Sequence, residues 1–385
     1  MKWKNKGQEF NKDSMCISKI KEVYLFGAGH DGKMVARIMR ERYTRIKIKA
    51  FLDNDSRMWG QTLDGIPIQN PNNVTTEEDV GVVVSFASEF VQKIDLQIKN
   101  MGFEFGKNAW HFEQFLSIYA LYEYDELFFS SICILPTDAC NLRCKGCLNF
   151  TNYITNFTFK PLEKLKEEID LYFDCITYTG LFFISGGEPM LYSQLPELIE
   201  YIDTKYSNRM YELGIVTNGT IMPSQDIISV LKKTRIRITV DDYREALPNM
   251  RDKITEIINV YEGLNKGENL LVRSYDEWIS LFPHALETIG EDELIKKYDK
   301  CHCPWQEYKD GMLYSCNYAS FAANAGIVDT DINNETYSLY KNKNKKELME
   351  FRLGFTEKGY VEFCKKCAGY MDINPYKIKA AEQDM

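Results

Sequence analysis

The octapeptide CNLRCKGC, residues 140–147, constrains this chain more than any other stretch. It places three soft ligands, Cys140, Cys144 and Cys147, in one loop, and no nearby His or Cys completes a fourth. A structural zinc takes four protein ligands in a closed tetrahedron, so zinc here has to borrow a distant donor. An iron–sulfur cluster held by three cysteines instead keeps one iron with a position open to a small molecule. The loop follows the apolar run SSICILP and precedes PLEKLKEEIDLYF, where Leu162, Leu165, Ile169 and Phe173 recur at helical spacing.

From there strands and helices alternate: GLFFIS, QLPELIEYIDTKY, ELGIVTNG, SQDIISVLKK, RIRITVDD, NMRDKITEIINVYEGL and ENLLVR. The alternation predicts an α/β fold over 130–295, a parallel sheet with covering helices, either open or closing toward a partial (β/α) barrel. Chemistry in such folds gathers at the carboxyl ends of strands. The strand ends here carry GGEP (Gly186, Gly187, Glu188, Pro189), then Thr217, Asn218 and Gly219, then Thr239 and Asp241.

A three-cysteine loop after a first strand, followed in order by these strand ends, resembles the radical S-adenosylmethionine (radical SAM) enzymes. The resemblance implies a 4Fe-4S cluster on Cys140, Cys144 and Cys147 and S-adenosylmethionine as its companion. In that family Gly186, Gly187, Glu188 and Pro189 would contact the amino group of the methionine moiety. Thr217 and Asn218 match a frequent family feature, and Thr239 and Asp241 stand where the ribose or carboxylate is often bound. The implied chemistry is a 5′-deoxyadenosyl radical that removes hydrogen from an unactivated carbon, fed by an external electron donor such as flavodoxin or ferredoxin. One departure is Gly146, where the family often has an aromatic residue near the adenine; that contact then has to come from elsewhere, with apolar side chains near ENLLVR as candidates.

The segment 296–385 holds CHCPWQEYKDGMLYSC, in which Asp310-Gly311 reads as a tight hairpin turn, and later FCKKC. The spacing of Cys301, Gly311, Cys316, Cys364 and Cys367 is similar to the short auxiliary-cluster domain called twitch, a reduced SPASM domain. It implies a small cysteine-rich α+β cap in which Cys301, Cys316, Cys364 and Cys367 hold a second 4Fe-4S cluster. A zinc ribbon on the same thiolates is the alternative. Cys303 is left unligated beside Cys301, a candidate catalytic hydrogen donor. Cys16, Cys133 and Cys175 read as ordinary thiols, and His30, His111, His284 and His302 show no metal-binding spacing.

Over 20–115, the strand EVYLF leads into GAGHDG (Gly27, Gly29, Gly32), a helix, and a second strand ending at Asp53. This is the order of a phosphate-binding turn with an acidic residue for a ribose hydroxyl, in a Rossmann-like domain about the length of one mononucleotide-binding half. Three readings stay open: a nucleotide or nucleotide-sugar site, a docking module, or an NAD site. The FGAG turn, FLDND and GIPIQNP also resemble small nucleotide-binding domains attached to sugar-modifying and polysaccharide-assembly enzymes.

Bulk properties bound the partners. At 385 residues two or three domains are expected. Lys plus Arg number 47 against 56 Asp plus Glu, and the net charge of -9 disfavours nucleic acid. No signal peptide and no apolar run of about twenty residues is present, so a cytoplasmic location and no membrane partner are expected. Of eleven cysteines seven fall in three tight groups, 140/144/147, 301/303 and 364/367, which suits cluster ligation in a reducing compartment. The expected protein is a radical SAM oxidoreductase or epimerase acting on a carbohydrate or nucleotide-sugar-type small molecule. The N-terminal pattern does not resemble the winged-helix leader-binding domain of peptide-modifying relatives. Peptide modification is the alternative within enzymes; a zinc-stabilised nucleotide-binding regulator is the alternative outside them.

Overall fold

The structure is a computed structural model that describes residues 1–86, 91–284, 286, 288–301, 306–341, 344–370 and 373–384. The chain divides into two compact units: Lys4–Ser130 with Asn344–Leu353, and Met1–Trp3 with Ser131–Lys343 and Gly354–Met385.

The first unit is built on a six-stranded sheet of β1 (Glu22–Phe26), β2 (Lys47–Leu52), β3 (Thr62–Leu63), β4 (Ile66–Gln69), β5 (Val80–Val84) and β6 (Ala109–His111), in the order β3-β4-β2-β1-β5-β6. All neighbours pair parallel except β3 with β4. Every residue of β5 is buried, as a central parallel strand covered on both faces requires. Helices α1 (Asn11–Ile17), α2 (His30–Glu41), α3 (Val91–Asn100) and α4 (Phe112–Tyr124) accompany the sheet. Ile94 and Ile98 of α3 join Tyr24, Phe26, Leu52 and Val82 in one apolar core. The helix Lys345–Arg352 belongs here too; its buried Arg352 donates to Ser130 Oγ at 2.8 Å and pairs with Glu113 at 2.6 Å.

The second unit carries a five-stranded sheet of β7 (Phe128–Ile134), β8 (Tyr178–Ile184), β9 (Met210–Thr217), β10 (Arg237–Asp241) and β11 (Leu270–Arg273), in the order β11-β10-β9-β8-β7. The pairs β8–β9, β9–β10 and β10–β11 are parallel. The crossovers are α5 (Leu162–Cys175), α6 (Leu195–Tyr206), α7 (Gln225–Lys233) and α8 (Arg251–Glu262). Strand order follows chain order, so right-handed crossovers put these helices on one face. The expected stripe of α5 is buried: Leu162, Leu165, Ile169 and Phe173 are each at most 6 % exposed. The same order aligns the carboxyl ends of β8 to β11 at one edge.

The cysteine-rich part follows β12 (Glu277–Ile279) and α9 (Glu291–Lys300) and contains β13 (Tyr308–Lys309), β14 (Met312–Tyr314), α10 (Asn317–Asn324), α11 (Ile332–Glu335), β15 (Thr336–Ser338) and β16 (Lys377–Lys379). Asp310 and Gly311 have φ of 54° and 72°, the left-handed conformations that a two-residue turn between β13 and β14 demands. A bridge between Cys133 and Glu307 joins this part to the β7 edge, and β12 pairs antiparallel with β16.

Candidate radical SAM site

The GGEP loop is stapled onto the cysteine loop backbone to backbone. Gly187 N–H donates to Thr137 O at 3.1 Å and Glu188 N–H to Ala139 O at 2.7 Å. A β-carbon on Gly187 would stand 2.1 Å from the Ala139 carbonyl oxygen, and one on Gly186 would stand 2.4 Å from that of Thr137. Both glycines are therefore dictated by close approach of two backbones, and Gly186 also has a φ of +143°. Asn149, two residues past the third cysteine, donates to Gly186 O at 2.5 Å and closes the staple.

Glu188 is fully buried and faces inward. One carboxylate oxygen accepts from Met190 N at 3.0 Å and Thr217 Oγ1 at 2.8 Å; the other accepts from Asn218 N at 2.7 Å. Burial pushes its pKa up to about 7 against the pull of these donors. The side chain thus ties the strand end of β8 to that of β9, while Pro189 opens the short turn that follows. Asn218 in turn donates to Asn141 Oδ1 at 3.0 Å and stands 3.8 Å from Cys140 Sγ.

Thr239 is buried on β10, and Asp241 at its end is held by Arg273 Nε at 2.7 Å and Tyr243 Oη at 3.2 Å. Arg273, Tyr243 and Trp278, whose ring meets Tyr243 edge-on at 5.6 Å, were not singled out from sequence. The signal for Arg273 was its register opposite Asp241 on adjacent parallel strands.

Three donors approach the three thiols. Leu142 N lies 3.4 Å from Cys140 Sγ, Gln383 Nε2 3.2 Å from Cys144 Sγ, and Thr151 Oγ1 3.2 Å from Cys147 Sγ. Burial pushes the Cys140 thiol up to about 11 and Cys144 up to about 12, with Cys147 acting electrostatically on both. Desolvated thiols that share a neighbourhood and receive hydrogen bonds at sulfur fit thiolate ligands to a cationic centre, since a metal takes the deprotonated form. Among the described residues no three His, Cys, Asp or Glu side chains converge on a single metal ion. At Gly146, a β-carbon would stand 2.5 Å from Ile378 Cγ2 and 3.6 Å from Trp278 Cε3, so the β12–β16 pair fills the space next to this position.

The second cysteine group draws on scattered elements. Cys301 ends α9, Cys316 caps α10, and Cys364 lies in the short turn Glu362–Lys365 ahead of Cys367. Burial raises the Cys301 thiol, and Cys316, Cys364 and Cys367 each raise it further; the last three border one apolar core. Gly369 N–H donates to Cys367 Sγ at 3.2 Å, and Lys297 Nζ donates to the carbonyls of Cys364, at 2.9 Å, and Cys367. Cys303 and His302 lie outside the described residues. A polar cavity of about 40 Å³ lies beside Gly186 and Gly187; it is lined also by Asp138, Lys160 and the buried Glu307, whose Oε2 has no hydrogen-bond partner among the described residues.

In the first unit, Gly27 has a φ of +112°, and a β-carbon on Gly32 would stand 2.1 Å from Gly27 O, so helix α2 packs tightly on the turn. Gly29 caps α2. Asp53 accepts from Ala28 N at 3.0 Å, within the glycine turn itself. The strand order reverses between β1 and β5, where an open sheet offers its crevice. Phe86 stands there, 2.7 Å from a β-carbon placed on Gly27.

Residues 134–266 match the radical SAM superfamily, and residues 19–107 match a family described as C2185-like, N-terminal. A GTP 3′,8-cyclase of Acidothermus cellulolyticus is 33% identical over 151 residues, 35% of this chain and 39% of that protein. GTP 3′,8-cyclase 1 of Mycobacterium tuberculosis is 30% identical over 202 residues, 46% of this chain and 55% of that protein. The chain thus spans between two fifths and about half the length of these relatives. The crystal structure of BtrN in complex with AdoMet and 2-DOIA aligns at 16% identity over 65% of this chain and 98% of that one, with a TM-score of 0.37, too low to carry an argument. Among the described residues no helix is long and apolar enough to cross a membrane. The stretch bearing the three-cysteine loop and the stapled GGEP turn lies within the match to the radical SAM superfamily, a family that uses a 4Fe-4S cluster and S-adenosylmethionine.

Proposed function

We propose that the chain is a radical SAM enzyme that abstracts hydrogen from a carbohydrate or nucleotide-linked sugar. The observation that carries it is the double backbone staple between the three-cysteine loop and GGEP, which sets three thiols against a glycine-lined strand end. When bound, the cluster and S-adenosylmethionine supply one-electron cleavage of the sulfonium and a 5′-deoxyadenosyl radical. Cys140, Cys144 and Cys147 would hold the cluster. Gly186, Gly187 and Pro189 would border the methionine end, with Glu188 bracing them from beneath rather than reaching out. Thr239 and Asp241 would border the ribose, and the apolar wall near Gly146, Trp278 and Ile378, would flank the adenine. The in-order strands support a partial barrel around this edge.

Cys301, Cys316, Cys364 and Cys367 would hold an auxiliary cluster in a twitch-like cap, able to accept the electron released when a hydroxyl-bearing carbon is oxidised. Oxidation is thus preferred over epimerisation, in which a thiol such as Cys303 would return hydrogen. The sugar reading draws support from the polar cavity beside Gly186, which admits a hydroxyl or a water. The relatives' name carries the nucleotide GTP rather than a carbohydrate, which favours the nucleotide-linked end of this range over a free sugar. In the first unit the Gly27 turn and parallel sheet favour a Rossmann-like module. Asp31 in the first turn of α2 and Phe86 in the crevice count against a bound diphosphate there and favour docking.

The test is anaerobic incubation with S-adenosylmethionine, reductant and a panel of nucleotides, nucleotide sugars and peptides. A nucleotide or nucleotide sugar should stimulate 5′-deoxyadenosine formation, and deuterium at its reacting carbon should appear in that product. Stimulation by peptides alone would overturn the substrate assignment.

A further inference from the structure

The segment Lys377–Asp384 is not accounted for by any motif, yet it lies along the cysteine loop. Lys145 N–H donates to Glu382 O at 2.8 Å, Asp384 N–H to Arg143 O at 2.6 Å, and Lys145 Nζ to Glu382 Oε1 at 2.7 Å. Cys144 and Gln383 face each other as an antiparallel bridge. At its centre the Gln383 carboxamide is oriented by two partners. Its Oε1 accepts from Arg143 N at 2.9 Å, and its Nε2 donates to Ala381 O at 2.7 Å. A backbone N–H only donates and a carbonyl only accepts, so the amide cannot be flipped, and the NH₂ group is the one that faces Cys144 Sγ at 3.2 Å. Gly146 gives the segment its seat, because a β-carbon there would collide with Ile378.

We propose that Gln383 is a positioning residue for the three-cysteine site: its amide donates to the Cys144 sulfur and raises the reduction potential of the cluster held there. This rests on the radical SAM reading. A hydrogen bond donated to a cluster sulfur stabilises the more negative, reduced state, and such bonds are among the protein's levers on iron–sulfur potentials. The donors near Cys140 and Cys147 are local to the loop or to the β9 end, whereas this one arrives from 239 residues away in sequence. Its presence therefore depends on the segment being seated.

The test is an EPR-monitored redox titration of the anaerobically reconstituted full chain, following the signal that changes when S-adenosylmethionine is added. Gln383→Ala should make reduction about tenfold less favourable, a shift of 59 mV downward for a one-electron couple. Gln383→Met keeps the length of the side chain without a donor and should show the same lowered potential with a near-native melting temperature. It also serves where the alanine variant loses the cluster. A wild-type potential in either variant, with the responsive signal intact, would overturn the assignment. Absence of any S-adenosylmethionine-responsive cluster in the unaltered chain would instead sink the radical SAM reading beneath it.

Discussion

The two cysteine groups of the second unit differ in how they are assembled. Cys140, Cys144 and Cys147 come from one loop, and their surroundings are recruited to them: GGEP from β8, Asn218 from β9 and Gln383 from the segment after β16. Cys301, Cys316 and the Cys364–Cys367 pair come from three separate places, and Cys316, Cys364 and Cys367 border an apolar core with Phe150, Phe363, Tyr318 and Tyr370. The first group offers three thiols beside glycines and polar side chains; the second offers four, and each group has one buried member, Cys144 and Cys367, among half-buried ones. Three leave a coordination position for a reactant, and four close the shell. The difference teaches that ligand number, three against four, decides whether a cysteine group can leave a position open.

The largest expected effect separates the groups outright. Replacing Cys140, Cys144 and Cys147 with Ala should abolish 5′-deoxyadenosine formation while the chain keeps about four of about eight irons. Complete loss of iron would show that the two groups are not independent. Cys316→Ala should do the reverse, removing about half the iron while cleavage of S-adenosylmethionine persists within several-fold. Cleavage that vanishes with Cys316 would make the second group part of the reacting site.

Smaller effects probe the staple. Gly187→Ala forces a methyl group against two backbone carbonyls and should cost about 1–3 kcal/mol of stability, read as a lower melting temperature, together with weaker iron retention at the first group. The smallest concerns pH. Burial raises Glu188 from an ordinary value of 4.5 to about 7, so the folded chain binds more protons than the unfolded one between these values. Its contribution to stability is full below pH 4.5 and is lost as pH rises to about 7. Glu188→Gln removes that dependence, so the stability of wild type relative to the variant should fall across this window in paired denaturation curves. A difference that does not change with pH would show that the three donors keep Glu188 ionised throughout.

Much of this was legible in the sequence because it is local. The alternating apolar stretches became β8 to β11 and α5 to α8, and the Asp310-Gly311 turn needed only two residues with positive φ. The position of GGEP against the cysteine loop follows from two glycines that no other residue could replace. What escaped is long-range. Gln383 and Ile378 carry no motif; the pairing of β16 with β12 and the bridge between Cys144 and Gln383 bring them to the loop. Arg273 became meaningful through its register with Asp241. In the first unit the glycine spacing left a nucleotide site, a docking module and an NAD site open, and spacing says nothing of Phe86, which arrives from 59 residues beyond Gly27 to stand over it.

The central claim, that three thiolates against a glycine staple make a reacting site, is tested most directly by one assay. The anaerobically reconstituted chain is given S-adenosylmethionine and dithionite, and 5′-deoxyadenosine is quantified beside the iron and zinc content of the same sample. The account predicts 5′-deoxyadenosine and methionine in equal amounts from an iron-loaded chain, and none from the triple alanine variant. A fully iron-loaded chain that leaves S-adenosylmethionine intact, or one that binds zinc alone, would contradict it.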